Sequence, residues 1–257
     1  VNGDERVLSK IIASKGKVVD GHAPGLSDKE LNAYIAAGIL SDHESTTLEE
    51  GKEKLKKGMY LMIREGSSEK NLDALLPLVT DKTYKRCFFV VDDRSCSDLL
   101  HEGDIDWVVR KAISRGLDPV RALQMATINT AEHFRLYDRG AVAPGYLANL
   151  ITIANLAKLE IDMVFHRGKL VARQAKSLFS LPDTTSELTH TVHIKPLTSE
   201  SFRLTTAGET HPVIEIVPGQ IVTKKKVERV KTVDGAIMPD TARDILKLAV
   251  VERHKAS

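Results

Sequence analysis

Short apolar runs alternate with amphipathic stretches along the first half of the chain. Four of the runs have the length and composition of β-strands, and each is followed by polar or helix-breaking residues. They cover residues 17–20, 39–40, 60–63 and 87–91. The stretches between them repeat apolar residues at helical spacing. Strands that alternate with helices in this way predict an α/β fold built on a parallel sheet.

Capping and stop signals set the ends of the predicted helices. Two pairs have the spacing of a capping box, Ser27 with Glu30 and Thr47 with Glu50. Glycines such as Gly16, Gly38 and Gly58 stand where a glycine commonly ends a helix. The resulting prediction is a set of helices over residues 4–15, 28–37, 48–57, 72–79, 105–115 and 119–134.

The pattern changes after residue 139. A turn at residues 140–145 leads to a predicted strand over 148–153, and residues 162–172 are typical of a hairpin that turns at Arg167-Gly168. A stretch rich in Ser, Thr, Pro and Asp over residues 177–187 indicates a linker. We therefore predict a small β unit over 140–180, with a domain boundary near residue 180.

The last part of the chain predicts a further α+β region. Strand-like runs occur at residues 190–194, 202–205, 213–217 and 220–230, and Lys224–Lys226 is expected to interrupt the last of them. An amphipathic helix is predicted over residues 241–251. The chain starts at Val1 and ends at Ser257 without typical terminal signals, and we expect it to be a fragment.

Composition narrows the functional classes. Hydrophobic residues make up 42% of the chain and the formal net charge is +2, which favours a packed core and gives no indication of a nucleic-acid or membrane partner. No apolar run has the length of a transmembrane helix. The two cysteines, Cys87 and Cys96, do not suggest a disulfide scaffold, and a reducing cytoplasm is expected.

Candidate metal ligands follow three of the predicted strands. His22, His43 and Asp92 come directly after apolar runs. Because parallel strands bring their carboxyl ends to one edge, these side chains are expected to meet there, where two imidazoles and a carboxylate could hold a hydrolytic metal ion. The alternatives are a loop histidine at position 22 and, at position 43, a polar loop that caps the next helix.

Further polar side chains lie at the same expected edge. Asp92 could also take a proton from activated water, whereas helix capping or an ion pair between Asp93 and Arg94 is the structural alternative. Arg64 and Glu65 end the third strand and could bind a planar polar substrate, or could simply pair with each other. The remaining histidines considered are interpreted as structural or solvated, namely His101, His133, His166, His190 and His193.

Longer motifs add a family resemblance. Val19-Asp-Gly-His-Ala-Pro-Gly-Leu-Ser27, Ser41-Asp-His-Glu44, Met62-Ile-Arg-Glu-Gly-Ser67 and Val91-Asp-Asp-Arg94 resemble segments of bacterial and archaeal adenine deaminases of the amidohydrolase superfamily. Residues 125–129, 143–150 and 244–254 are similar to that family as well. The resemblance spans almost the whole chain.

The resemblance implies a fold and a domain layout. It implies the second half of a (β/α)8 TIM-type barrel over residues 1–139, a β-sandwich return segment over 140–180, and the start of a C-terminal α+β domain over 181–257. His22, His43 and Asp92 would follow the fifth, sixth and eighth barrel strands. The family's His-x-His pair and a further glutamate would then precede residue 1. Ser45 stands where the family usually has cysteine, and Asn149 where it usually has aspartate.

The resemblance also implies an activity, which is hydrolysis of adenine to hypoxanthine and ammonia with a divalent metal. Manganese or iron is expected and zinc is an alternative. We assign His22, His43 and Asp92 to the metal, and Asp92 with Glu44 to catalysis. Substrate binding is assigned to Arg64, Glu65 and Asp93. A cytoplasmic homo-oligomer is expected, and the rival interpretations are an amidohydrolase that acts on a cyclic amide and a catalytically inactive fragment.

Overall fold

The computed structural model describes residues 2–180 and 191–254. The chain divides into two compact units. The first comprises Val1–Ser180 with Pro218–Ile221, and the second comprises Leu181–Val217 with Val222–Ser257. Among the described residues, no helix is both long enough and apolar enough to cross a membrane.

Eight α-helices are described in the first unit, of which the one at Cys96–His101 was not predicted, and two stand in place of the single helix predicted over 119–134. They are α1 Glu5–Ala13, α2 Asp28–Ala36, α3 Leu48–Lys56, α4 Leu72–Leu75, α5 Cys96–His101, α6 Ile105–Ser114, α7 Pro119–Ala126 and α8 Ile128–His133. Asp4 caps α1 by accepting from the Arg6 and Val7 amides, and Asp118 caps α7 by accepting from the Arg121 amide. Side-chain oxygens thus satisfy amides that the helix itself leaves free.

The predicted capping boxes form only in part. Ser27 precedes α2, but its side chain makes no capping hydrogen bond. Thr47 caps α3 by accepting from the Glu50 amide at 3.2 Å. The Glu50 carboxylate returns to the Thr46 amide, one residue before the cap, which donates to Oε2 at 2.9 Å. Its Oε1 atom pairs with the buried Lys54 ammonium at 2.8 Å.

A three-stranded parallel sheet forms the centre of the first unit. Its strands are β1 Ser41–Asp42, β2 Tyr60–Arg64 and β3 Cys87–Val90, in the order β1-β2-β3. The strand predicted at residues 17–20 is wrong. The structure has only an isolated parallel bridge from Gly21 to Asp42 at this place, and a strand needs a repeated ladder of hydrogen bonds. The predicted second strand lies two residues later, at β1.

The main core lies between one face of the sheet and the helices. Leu61 and Ile63 of β2 pack beside Cys87 and Phe89 of β3, and all four are buried. Helices α4, α6 and α7 cover them with apolar residues that include Leu72, Leu75, Val108, Val109, Ala112, Ala122 and Met125. Burying one such side chain stabilises the fold by about 1.5–3 kcal/mol. Because strand residues alternate in direction, the residues between these core positions point to the opposite face.

A second sheet of the first unit is antiparallel. It contains β4 Leu150–Asn155, β5 Glu160–His166, β6 Lys169–Arg173 and β7 Lys176–Ser177, in sequential order. The predicted hairpin turn is confirmed: Arg167 and Gly168 both have positive φ, at 48° and 78°, as a tight two-residue hairpin requires.

The second unit contains two antiparallel strand pairs among its described residues. Strand β8 Thr210–Ile216 pairs with β9 Thr223–Arg229, and β10 Thr232–Val233 pairs with β11 Ala236–Ile237. Lys224–Lys226 does not interrupt the strand as predicted but lies inside β9, where Lys226 forms an ion pair with Glu215 at 2.7 Å. Acidic partners on the neighbouring strand offset the like charges.

In the described part of the second unit, three other segments do not form the strands and the helix predicted for them. Residues 202–205 form a single bridge, Thr205 to Ala236, in place of a strand. The predicted helix over 241–251 is wrong, because only the short 3₁₀ turn Thr241–Arg243 forms. Its apolar residues stay exposed, with Leu246 at 64% and Leu248 at 75%, and an amphipathic helix is stable only when its apolar face is packed. Of the run at 190–194, His190 lies outside the described residues and the rest carries no strand.

Candidate active site

Three potential metal ligands meet at the carboxyl edge of the parallel sheet. They are His22, His43 and Glu44, and one ligand atom from each lies within 4.8 Å of the others. The Nδ1 atom of His22 is 3.1 Å from Oε1 of Glu44, and the two imidazole rings meet edge to face at 4.7 Å. Among the described residues, this is the group of His, Cys, Asp and Glu side chains placed to hold a metal ion.

A second carboxylate orients His43. The Nδ1 atom of His43 lies 3.3 Å from Oδ2 of Asp20, and the Ser41 hydroxyl donates to Oδ1 of Asp20 at 2.8 Å. The Asp20 hydrogen bond raises the pKa of His43. Burial raises the pKa of Asp20, but its hydrogen bonds with His43 and Ser41 outweigh burial and the pKa lies below its usual value. With Nδ1 engaged in this way, Nε2 is the atom of His43 that is free to bind a ligand.

The Ser41 hydroxyl connects this pair to a buried histidine. The Nε2 atom of His133 is 3.2 Å from the Ser41 oxygen. Since the Ser41 proton points to Asp20, Nε2 of His133 is the donor in this contact. The ring of His133 packs against Tyr60 and Phe134 at centroid distances of 4.5 and 4.8 Å, which agrees with the structural role predicted for it.

The His22 loop is held by close packing against α2. The His22 side chain is 70% exposed, whereas its backbone carbonyl accepts from the Tyr34 hydroxyl at 3.3 Å. A Cβ at Gly21 would lie 1.8 Å from the same hydroxyl, so only glycine fits there. Burial, followed by the nearby charges of Asp42, Asp20 and Glu44, raises the pKa of Tyr34 to about 12. Tyr34 therefore remains a protonated donor.

The sequence predicts that Asp92 meets the two histidines, but in the structure its carboxylate pairs with Arg64. Its Oδ2 atom accepts from Nη1 of Arg64 at 2.7 Å, and the same nitrogen is 3.9 Å from Oε1 of Glu44. The metal-competent group is therefore completed by Glu44, and Asp92 lies one ion pair away. Arg64 is 1% exposed, yet its Nε and Nη2 atoms have no hydrogen-bond partner among the residues that the structure describes. Buried donors without partners are rare in proteins and mark a place where a ligand could bind.

The structure does not bring Glu65 or Asp93 to this group. Glu65 follows Arg64 on the strand and points to the helix side, where it accepts from Lys111 at 2.5 Å and from the Leu72 amide at 2.9 Å. Asp93, which follows β3, accepts from the Ser68 hydroxyl at 3.0 Å and so contacts the loop after β2. For Glu65 the physical reason is the alternation of strand side chains, which places neighbours on opposite faces.

Asp20 and Tyr34 were missed by the sequence analysis. Asp20 stands two residues before His22, but nothing in that spacing indicates that its partner is His43. Tyr34 lies within an ordinary helical pattern and reaches the site because α2 packs against Gly21. Both contacts join segments that are separated in the sequence.

The donor set fits a divalent metal. Two imidazoles and one carboxylate are a common set for catalytic zinc, and the same atoms suit iron and manganese. The His22 side chain is 70% exposed, whereas those of His43 and Glu44 are 12% and 7% exposed, so the group is open at His22 and largely enclosed at the other two residues.

Comparison with known protein families identifies the family of the chain. A model of the amidohydrolase family matches residues 5–171. The chain belongs to the amidohydrolase family. Members of this superfamily are metal-dependent, which agrees with the His22, His43 and Glu44 group.

Two curated relatives are similar to the chain over almost its whole length. The chain is 60% identical over 256 residues to an adenine deaminase of Dehalococcoides mccartyi, and 48% identical over 255 residues to adenine deaminase 2 of Carboxydothermus hydrogenoformans. Each alignment covers 99% of the chain but 45% of the relative. The chain thus spans a little less than half the length of these curated relatives.

A solved structure supports the fold. The β-aspartyl dipeptidase of Fervidobacterium islandicum AW-1 superimposes with a TM-score of 0.54 at 20% identity, over 70% of this chain and 53% of that one. At this identity the likeness concerns the fold alone. It agrees with a mixed α/β structure of the TIM-barrel type found in amidohydrolases.

Proposed function

We propose that the chain is the part of a metal-dependent adenine deaminase that carries two histidine ligands, and that the enzyme hydrolyses adenine to hypoxanthine and ammonia. The observation that carries the proposal is the meeting of His22, His43 and Glu44 at one sheet edge. It occurs in a chain that is 60% identical to an adenine deaminase. We propose manganese or iron as the native metal, with zinc as the alternative.

The proposed layout follows the sheets. The parallel strands β1, β2 and β3 would be part of the second half of a (β/α)8 barrel over residues 1–139, which their common polar edge supports. The antiparallel sheet β4–β7 would be the β-sandwich return segment over 140–180. Residues 181–257 would begin a C-terminal α+β domain. A homo-oligomeric state and a cytoplasmic location rest on the resemblance alone.

Each polar side chain of the site has a proposed task. His22, His43 and Glu44 would hold the metal, which when bound supplies electrostatic activation of water for attack on the amino-bearing carbon. Asp92 would accept the proton of the attacking water and pass it to the departing amino group. For Asp92 to be a ligand as well, its carboxylate would have to leave Arg64.

Arg64 is proposed to bind both Asp92 and the substrate. Its Nη1 atom holds the Asp92 carboxylate, while Nε and Nη2 are free to donate to the acceptor nitrogens of a purine. Glu65 and Asp93 are not proposed as substrate ligands, since their carboxylates accept from Lys111 and Ser68.

The direct test uses the full-length protein. After removal of bound metal with a chelator, the protein is reloaded separately with Mn²⁺, Fe²⁺ and Zn²⁺ and assayed for ammonia release from adenine. We expect turnover with at least one metal, and its loss in His43→Ala. Absence of turnover with every metal, or unchanged kinetics in His43→Ala, would reject the proposal.

The same preparation separates the rival interpretations. Turnover of cyclic ureides in place of adenine would assign the site to cyclic-amide hydrolysis. A metal content well below one ion per chain after reloading would support the inactive interpretation.

A further inference from the structure

Helix α3 carries two charged side chains that contact the loops bearing the candidate metal ligands. Glu50 and Lys54 are four residues apart and form an ion pair at 2.8 Å. The Lys54 side chain is fully buried and that of Glu50 is 11% exposed. We call this pair the α3 clamp. The segments that it touches are residues 22–25, the His22 segment, and residues 42–46, the His43 segment.

Lys54 contacts both segments with one ammonium group. Its Nζ atom donates to the Ala23 carbonyl at 2.6 Å in the His22 segment. In the His43 segment it donates to Oδ2 of Asp42 at 2.9 Å and to Oγ of Ser45 at 3.1 Å. The Asp42 carboxylate also connects the two segments directly, because its Oδ1 atom accepts from the Ala23 amide at 2.9 Å.

Glu50 repeats the connection with its two carboxylate oxygens. Oε1 accepts from the Gly25 amide at 2.7 Å, and Oε2 accepts from the Thr46 amide at 2.9 Å. The clamp therefore contacts the chain directly after His22, and on both sides of His43 and Glu44. His22 directly precedes Ala23, and both His43 and Glu44 lie between Asp42 and Ser45.

Stability alone is a weak explanation for this network. A buried ion pair loses the hydration of both groups, and apolar residues of the same volume are often equally stabilising. Apolar residues could not hold two irregular loop backbones at a set separation, whereas directional hydrogen bonds can. The network is connected to both loops at once, which is the arrangement that positioning requires.

A second ion pair on α3 provides the internal comparison. Glu53 and Lys57 have the same spacing and pair at 2.7 Å. Glu53 accepts from the Asp28 amide and Lys57 donates to the Asp28 carbonyl, both at the start of α2. This pair has the same chemistry on the same helix, but it touches neither the His22 segment nor the His43 segment.

We propose that the α3 clamp sets the separation between His22 and the His43–Glu44 pair, and that Glu50 and Lys54 are positioning residues for the metal site. The inference rests on the proposed metal site but does not depend on adenine as the substrate. It predicts that altering the clamp changes how a bound ion is coordinated, even when the fold is retained.

The experiment uses the full-length protein, freed of metal and titrated with Co²⁺ alone. The visible absorption of bound Co²⁺ reports the number and arrangement of its ligands. Lys54→Met and Glu50→Gln are compared with the matched controls Lys57→Met and Glu53→Gln, and circular dichroism checks that each variant is folded. We expect both clamp variants to weaken Co²⁺ binding by about tenfold and to change the absorption band, with both controls close to the unaltered protein.

Each result bears on the inference. If Lys54→Met does not fold, Glu50→Gln provides the same comparison with a side chain of nearly the same shape. Unaltered affinity and band shape in the folded clamp variants would overturn the inference, as would equal changes in the controls. Failure of the unaltered protein to bind Co²⁺ would overturn the metal site and the positioning role together. Normal Co²⁺ behaviour without adenine turnover would contradict only the proposed substrate.

Discussion

The two faces of the parallel sheet treat charged residues in opposite ways. On the helix side, Asp42 pairs with Lys54 and Glu65 pairs with Lys111, so each carboxylate has a cation from a covering helix. On the other side, two donors of Arg64 have no partner within residues 2–180 and 191–254, and the nearby His22 is largely exposed. Residues adjacent in the sequence, such as Arg64 and Glu65, lie on different sides of this division.

The contrast separates residues that support the fold from residues that can bind a ligand. A buried charge whose hydrogen bonds are complete has no capacity left for a substrate, and its loss should lower stability. A charge with free donors or acceptors retains that capacity. Substitutions at Asp92, Glu65, Arg64 and His133 test this division.

The largest effect is expected for Asp92 on the open side. Asp92→Asn removes the proposed proton carrier and should lower kcat by about 10²–10⁴-fold, which is the usual contribution of general acid–base catalysis. The measurement is ammonia release from adenine by the metal-loaded full-length protein. Asp93→Asn is the neighbouring control and should retain most activity, because its carboxylate serves the loop after β2. Equal losses in both variants would contradict the assignment.

Substitution of Glu65 should lower the free energy of unfolding and leave kcat largely unchanged. Glu65→Gln removes the partner of the Lys111 ammonium and should lower the free energy of unfolding by about 2–3 kcal/mol, somewhat less than for a fully buried pair because Lys111 is partly exposed. Urea unfolding measures this value. Asp73→Asn alters an exposed partner of the same lysine and should change it by less than about 1 kcal/mol. A large drop in kcat for the folded Glu65→Gln variant would return Glu65 to the site.

Arg64 should show the reverse behaviour of its neighbour. Arg64→Met removes two unpaired buried donors, and Asp92 remains partly exposed, so the free energy of unfolding should change by no more than about 1 kcal/mol. The value of kcat/KM for adenine should fall by about 10–100-fold through the loss of charged hydrogen bonds. Destabilisation as large as that of Glu65→Gln would show that Arg64 belongs to the structural side.

The smallest effect concerns the pH dependence at His133. Burial lowers the pKa of His133, so the imidazole is neutral in the folded protein at a pH where the unfolded chain binds a proton. Stability from this residue is complete above the ordinary histidine pKa of about 6.5 and is lost as the pH falls towards the lower folded value. Urea unfolding at several pH values between 5 and 8 should show a shallower acid-side decline for His133→Gln. An identical slope in both proteins would contradict this.

Local patterns were sufficient for much of the first unit. The helices began and ended close to their caps and glycines, and the hairpin at Arg167-Gly168 formed as predicted. Two of the errors concern segments with a regular apolar pattern. Residues 17–20 have the composition of a strand, but only the neighbouring Gly21 forms a bridge, to Asp42. In the amphipathic run at 241–251, Leu246 and Leu248 stay exposed, and an amphipathic helix is stable only when its apolar face is packed.

The pattern of the sequence is enough to predict an α/β sheet and to place His43 and Arg64 at the ends of its strands, whereas the strand predicted before His22 does not form. The tertiary structure added that Glu44 lies with the two histidines while Asp92 pairs with Arg64, that Asp20 orients His43, and that α3 connects both histidine loops. The physical reason is that these choices depend on the direction of each side chain across the pleat and on contacts between residues far apart in the chain. Composition and local spacing carry no information on either.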